Sequence, residues 1–468
     1  MSQTKFYDLI VIGSGPGGYV AAIRAAQLGL RTAIVEKDPK FGGTCLHRGC
    51  IPTKALLHTA SSFTAMQQSE KIGIDLGAEP ILDMGKTHAY KDKVVDKNAR
   101  GVDYLLKKNQ VAGIRGFGRL VAPNRVEVER GGVAEVYEAR FVLIATGSVP
   151  RHIPIADVDG ERVIDSDHAL ELRQVPKSLA VLGAGAVGTE FASIYNAFGA
   201  EVTILEMLPR LLPIEDEDAS AELAKSFRKR GIRAMVDTRL ESVETTGDGV
   251  RLHVVKNGSS QVLDAEKLLI AVGRAPVTDN IGLDEIGVAR EKGYIVVDEW
   301  MKTTVDGVYA IGDVVNTPWL AHVASAEGIL AVEHMAGHDG ARPIDYDRVP
   351  SCTYCEPEVA SVGLTEAAAR ERGHDVAVGK FPFSALGKAS ILQHTEGFVK
   401  VVRETRYDQV LGVHIVGPHA TDLIAEACVA LAIESTTEEL FRTMHAHPTL
   451  SEAMAEAAHA ASGHAIHF

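Results

Sequence analysis

The stretch FYDLIVIGSGPGGYVAAIRAAQLGLRTAIVEKD, Phe6 to Asp38, decides the fold. Tyr7 to Ile12 is β-rich and predicts a strand; Gly13 to Gly18 predicts a turn, Tyr19 to Leu28 a helix, and Arg31 to Val35 a second strand. This is a βαβ unit. Gly13, Gly15 and Gly18 form G-x-G-x-x-G where the strand passes into the helix. The first glycine permits the tight turn. The second lets a pyrophosphate approach the backbone, and the third allows close helix–strand packing. The helix N-terminus then faces the anion. Glu36 ends the second strand, where a carboxylate can accept hydrogen bonds from ribose hydroxyls.

A second unit of the same kind runs from Ser178 to Glu206, SLAVLGAGAVGTEFASIYNAFGAEVTILE. Its glycines are Gly183, Gly185 and Gly188, and Glu206 ends its second strand. An acid there repels a 2′-phosphate, so this site reads as NAD(H), with Arg210 the nearest basic residue. Two dinucleotide sites imply two cofactors. FAD with NAD is the simplest pair, because a flavin accepts hydride and also reacts with thiols.

Each unit is followed by an apolar return strand ending in glycine and proline: FVLIATGSVP from Phe141 and KLLIAVGRAP from Lys267. Between the units, Ala89 to Asn109 has helical spacing and many lysines, and charge-rich alternating strands follow from Val111 to Ala139. Towards the end, VLGVHIVGP predicts a strand, and Thr421 to Ala432 and Thr437 to Met444 predict helices. The expected fold class is α/β: two Rossmann-like FAD/NAD-binding domains plus a C-terminal α+β domain. The expected boundaries are 1–148 for the first part of the FAD domain, 149–276 for the NAD domain, 277–346 for a central part completing the FAD site, and 347–468 for the last domain.

The 468 residues carry a formal net charge of −14, which counts against non-specific binding to nucleic acid or a membrane surface. No stretch is apolar for the ~20 residues a membrane helix needs. The N-terminus has no signal or transit pattern, so a cytoplasmic protein is expected. Five cysteines are too few, and odd in number, for a secreted disulfide scaffold.

The chemistry concentrates in GGTCLHRGCIPTKALL, Gly42 to Leu57. Cys45 and Cys50 lie five apart with Gly49 between them, and Pro52 suits a first helical turn. Cys50 then stands at a helix N-terminus, where the dipole lowers a thiol pKa, and Lys54 adds positive charge one turn on. Two buried structural cysteines are the alternative. Near the other end, HAHPTLSEA places Glu452 five residues after His447, a spacing that lets a carboxylate hold an imidazole as an acid/base group. His445 is the competing histidine and reads as structural. Cys352 and Cys355, if on one strand, point to opposite faces. They make a poor metal site, and no metal is expected. Cys428 reads as core.

Together with VYAIGDV and AHVASAEG, these motifs resemble the pyridine nucleotide–disulfide oxidoreductase family over nearly the whole chain. KDKVVDKNARGVDYLLKKN is similar to the lipoamide branch of that family. The resemblance implies oxidation of protein-bound dihydrolipoamide, with electrons passing through a Cys45–Cys50 disulfide and FAD to NAD+. It implies that Glu36, Thr44, Lys54, Gly118, Thr146 and Gly147 line the FAD site, and that Asp313 bonds the ribityl chain. Leu320, Ala321 and His322 would sit near the flavin ring, Glu190 would pair with Lys54, and Gly273 would contact NAD. It implies a homodimer in which His447 of one subunit completes the active site of the other. The implied partner is a dihydrolipoyl-bearing acyltransferase (E2) or the H protein of glycine cleavage.

The family commonly has Asn-Val where this chain has His47 and Arg48. Thr53 replaces a common Ser, and Cys355 stands where His or Asp is usual. Among rivals, mercuric reductases carry a further C-terminal cysteine pair, glutathione reductases favour NADPH, and transhydrogenases lack the cysteine pair. A non-catalytic scaffold role sits poorly with Cys45, Cys50, His447 and Glu452 all in place.

Overall fold

In the computed structural model, which describes residues 5–467, the first βαβ unit forms as β1 (Phe6–Ile12), α1 (Pro16–Gln27) and β2 (Thr32–Glu36). The helix starts three residues earlier than expected. Gly15 is its N-cap and Pro16 takes the first helical position, where the missing N–H costs nothing. Then follow α2 (Gly43–Arg48), α3 (Cys50–Gln67), α4 (Met84–Lys108), β3 (Ala112–Arg115), β4 (Phe117–Ala122), β5 (Arg125–Arg130) and β6 (Val133–Ile144). The lysine-rich helix and the charged strands lie where the sequence places them.

Contacts divide the chain into two compact units. The first comprises residues 1–55, 88–151 and 274–346. Its sheet has the order β3-β2-β1-β6-β5-β4, with Val308–Ala310 also paired to β6. The pairs β1–β2, β2–β3 and β1–β6 are parallel, whereas β4–β5 and β5–β6 are antiparallel. Apolar side chains of β1, β2 and β6 fill both faces, as a covered parallel sheet requires.

The second unit comprises residues 56–87, 152–273 and 347–468. It holds a five-stranded parallel sheet centred on Ser178–Leu182 and a three-stranded antiparallel sheet, Thr238–Thr245, Val250–Lys256 and Ser259–Ala265. It also holds a five-stranded antiparallel sheet spanning Ser351–Gly417. Helices Ala420–Ala432 and Glu452–Ala461 bury their faces against this last sheet. The fold class is thus α/β with two Rossmann-like sheets and a C-terminal α+β part. The helix from Thr437 ends at Arg442, two residues short of the expected Met444.

Within the second unit, Lys400 is buried. Its Nζ donates to Asp216 Oδ1 at 2.9 Å, Asp218 Oδ2 at 2.9 Å and Glu366 Oε2 at 3.0 Å. Asp216 is also the N-cap of helix Glu217–Lys229, so one cation ties that helix to the antiparallel sheet. Burial works to raise the Asp216 carboxyl, but His414 and the Lys400 ammonium hold it below the ordinary aspartate range. A folded-state pKa below the unfolded one gives stability that is present above about pH 4 and is lost as pH falls through the folded value. Lys400→Met strands the buried Asp216 and should destabilise the fold by about 3–5 kcal/mol, read as the denaturant midpoint at pH 7. The loss should shrink as pH falls from about 4 through the lowered folded value, where Asp216 takes up its proton and its pairing with Lys400 is lost.

Candidate active site

The two glycine fingerprints have the same geometry. Gly13 has φ +102°, and a Cβ there would lie 2.2 Å from Ala145 O; Gly183 has φ +105°, with 2.4 Å to Ala271 O. A Cβ on Gly18 or Gly188 would meet the carbonyl of the first glycine at 2.0 Å. A Cβ on Gly15 or Gly185 would meet nothing within 4 Å. The first and third positions are therefore filled by the protein's own backbone. Only the second opens onto free space, beside the N-terminus of a 12-residue helix. That is a cradle for a pyrophosphate.

Glu36 Oε2 accepts from Ser14 N at 3.0 Å and Ser14 Oγ at 2.5 Å, and its Oε1 accepts from Asp38 N at 2.9 Å. Glu206 does the same in the second unit, taking Ala184 N at 2.7 Å and Leu208 N at 2.8 Å. Each acid is thus fixed beside its fingerprint. Arg210 turns to Pro213 O and to Glu217, with Nη1 2.8 Å from Glu217 Oε1.

Cys45 lies in the short helix α2. Gly42 and Gly43, with φ +123° and +62°, bend the chain into it. Gly42 N donates to Ser14 O at 3.1 Å, and a Cβ on Gly43 would lie 2.5 Å from Gly15 Cα. The start of the cysteine-bearing segment is therefore packed backbone-to-backbone on the first fingerprint. Gly49 breaks the chain direction, and Cys50 is the first residue of α3, as its reading as a helix start requires. Neither cysteine is in a disulfide, and the two thiols are hydrogen-bonded. That bond, then burial, pushes the Cys45 thiol well above the usual cysteine range, while the Lys54 ammonium pulls the other way.

Around the return strand, Thr146 Oγ1 donates to Val277 O at 2.6 Å, and Gly147 O accepts from Val277 N at 2.8 Å. Thr44 lies in α2. Gly118 lies in β4, where a Cβ would press on Val35 Cγ1 at 2.9 Å. Asp313 Oδ2 accepts from Ser148 Oγ at 2.5 Å, and Ser148 Oγ accepts from Arg274 Nε at 2.6 Å. Burial pushes the Asp313 carboxyl up, with Ser148 and Arg274 opposing. Leu320 caps the helix that begins at Ala321 and His322.

Sequence reasoning missed Ser14, Ser148, Arg274 and Glu327. Glu327 is fully buried, accepts from Gly312 N at 2.6 Å and from Tyr346 OH at 2.9 Å, and burial raises its carboxyl. A single acid inside the apolar helical run AHVASAEGILAV was the available signal.

In the second unit, His447 Nδ1 is 2.8 Å from Glu452 Oε1, and Glu452 Oε2 accepts from Thr449 N at 2.7 Å. Burial works to raise Glu452, but the Thr449 N–H and His447 hold it below the glutamate range. The His447 side chain is 78% exposed, with Nε2 turned away from the carboxylate. His445 is half-buried instead, bonded to Glu426 Oε1 at 2.7 Å and Thr443 O at 2.9 Å, which suits a structural role. Glu190 Oε1 accepts from Tyr354 N at 3.0 Å, and Gly273 has φ +101° at the end of its return strand.

Cys352 and Cys355 do not share a strand. The segment is two strands, Ser351–Thr353 and Glu358–Gly363, joined by a turn. Cys352 packs in the C-terminal core, whereas Cys355 is buried in the core under the second parallel sheet, with Sγ 3.2 Å from Pro357 O. Cys428 packs against the C-terminal core. Among the described residues, no group of His, Cys, Asp and Glu is placed to hold a metal ion, and no helix is long and apolar enough to cross a membrane.

Residues 7–328 match the pyridine nucleotide-disulphide oxidoreductase family, and residues 349–458 match its dimerisation domain. The chain belongs to this family. The dimerisation domain supports a homodimer. The chain is 47% identical to a dihydrolipoyl dehydrogenase of Thermus scotoductus and 45% to one of Bacillus subtilis, with 99% of each chain covered in both cases. In structure it is similar to LpdA of Mycobacterium tuberculosis, with a TM-score of 0.90, 29% identity, and coverage of 97% of this chain and 99% of that one.

The open cradles make a separable prediction. Gly15→Ala should leave the fold intact, because its φ of −61° and open surroundings accept a methyl group, yet it should block the anion. Absorbance should show flavin content falling at least about tenfold, a loss of ~1.4 kcal/mol or more. Gly13→Ala should instead prevent folding. Equal flavin content in Gly15→Ala and the parent chain would remove the first cradle from the cofactor site.

Proposed function

We propose that the chain oxidises the dithiol of a protein-bound dihydrolipoyl group to its disulfide and passes the two electrons through Cys45–Cys50 and FAD to NAD+. The observation that carries this is the hydrogen-bonded pair Cys45–Cys50, seated through Gly43 on the fingerprint glycine Gly15. The dihydrolipoyl dehydrogenases of B. subtilis and T. scotoductus, similar over their whole lengths, support the choice of substrate.

In the oxidised enzyme a substrate thiolate attacks Cys45 Sγ. The Cys45–Cys50 bond breaks, and Cys50 leaves as a thiolate at the start of α3, where the helix N-terminus and the Lys54 ammonium stabilise the charge. His447 then takes the proton of the second substrate thiol at Nε2, since Nδ1 is held by Glu452. That thiol closes the substrate disulfide and releases Cys45. FAD, when bound, would take the electron pair from the Cys45 and Cys50 thiols, which re-form their disulfide, and would pass it on as hydride to NAD+. Glu36 and Glu206 would hold the ribose hydroxyls of the two cofactors, and fixed Glu206 favours the unphosphorylated ribose of NAD. Thr44, Lys54, Gly118, Thr146, Gly147, Asp313, Leu320, Ala321 and His322 line the FAD site; Glu190 and Gly273 serve NAD.

The wider roles follow from the same reading. The enzyme works as a homodimer in which His447 of one subunit serves the thiols of the other, consistent with its exposed ring. It serves in the cytoplasm as the E3 component of a 2-oxoacid dehydrogenase complex, docking on the E2 acyltransferase, or in glycine cleavage with the H protein.

Cys50→Ser should retain FAD and abolish NADH formation from dihydrolipoamide; retained activity would remove the pair from the reaction. For His447→Gln the expected loss in turnover is ~10²–10⁴-fold, with NADH oxidation by ferricyanide preserved. A loss below tenfold would place the base elsewhere.

A further inference from the structure

Helix α2 carries Cys45 but has little to hold it. It is six residues long, and neither end has a side-chain cap. A helix that short does not persist by itself. Its last two residues, His47 and Arg48, are those in which this chain departs from the family's usual pair.

Both reach back to the loop between β2 and α2. Arg48 Nη2 donates to Asp38 Oδ2 at 2.9 Å, and the ring N–H of His47 at Nε2 donates to Phe41 O at 2.9 Å. Arg115, the last residue of β3, closes the ring. Its Nη1 donates to Asp38 O at 3.1 Å, and its guanidinium stands 3.5 Å over the Phe41 ring. The tip of that ring lies against Gly113, where a Cβ would lie 2.8 Å from Phe41 Cζ. Asp38 N in turn donates to Glu36, the acid of the first dinucleotide site. Burial works to raise the Asp38 carboxyl, but Lys37 and Arg48 hold it below the aspartate range, so it remains an acceptor.

We propose that His47 and Arg48 are positioning residues: through Asp38, Phe41 and Arg115 they tie the helix bearing Cys45 to the loop that follows Glu36, so that the first cofactor site and the Cys45 thiol move as one body. This rests on the reading of Cys45 and Cys50 as the redox pair. The anchors do not touch the reacting atoms. They fix where Cys45 Sγ stands relative to Cys50, and a small misplacement of a reacting group is costly.

The test uses the holoenzyme. Arg48→Met and Asp38→Asn should each slow reduction of the disulfide by dihydrolipoamide by about three- to tenfold, and the double variant should be no slower than either single. Arg48→Lys should restore most of the rate. Turnover of NADH with ferricyanide should not change. In the chemically reduced enzyme, iodoacetamide should alkylate Cys45 faster in Arg48→Met and in His47→Leu by a similar factor, because the freed helix exposes the thiol. Losses from Arg48→Met and Asp38→Asn that multiply, or unchanged alkylation of Cys45, would overturn the proposal. If the parent chain fails to use dihydrolipoamide while alkylation still quickens in the variants, the positioning role stands and the substrate reading falls.

Discussion

The Glu36 carboxylate organises the first site. Its two oxygens take the N–H and hydroxyl of Ser14 on one side and the N–H of Asp38 on the other. Ser14 O and Oγ accept from Gly42 N, which begins the turn into the redox helix. One buried acid therefore links the fingerprint to the path of the chain toward Cys45. Glu206 repeats the first half of this device but leads to no cysteines. The same backbone motif thus stands once alone and once beneath a cysteine-bearing helix.

Much of this is local in the chain and so was legible in it. A βαβ unit announces itself through periodicity and three glycines within six residues. The cysteines are five apart, and His447 and Glu452 are five apart, so each pair is nearly specified by its own segment. The short helix α2 was not legible. It lacks capping residues, is flanked by glycine at both ends, and exists through contacts with Phe41 and Asp38.

Two of the missed residues, Ser148 and Arg274, have a different cause. Ser148 meets Asp313 across 165 positions, and Arg274 meets Ser148 across 126. Nothing in the spacing of such residues reveals that they meet. Cys352 and Cys355 were expected not to work as a pair, but the reason differs from the one expected. Cys352 lies on a strand and Cys355, three residues on, lies in the turn that follows it, and the two enter different cores.

If Cys45 faces substrate and Cys50 faces the flavin, the two thiols are unequal, and absorbance of the holoenzyme after addition of two electrons tells them apart. A thiolate against an oxidised flavin produces a long-wavelength charge-transfer band. That band is expected in the parent protein and in Cys45→Ser, and is expected to be absent in Cys50→Ser. A band that persists in Cys50→Ser and vanishes in Cys45→Ser would contradict that assignment.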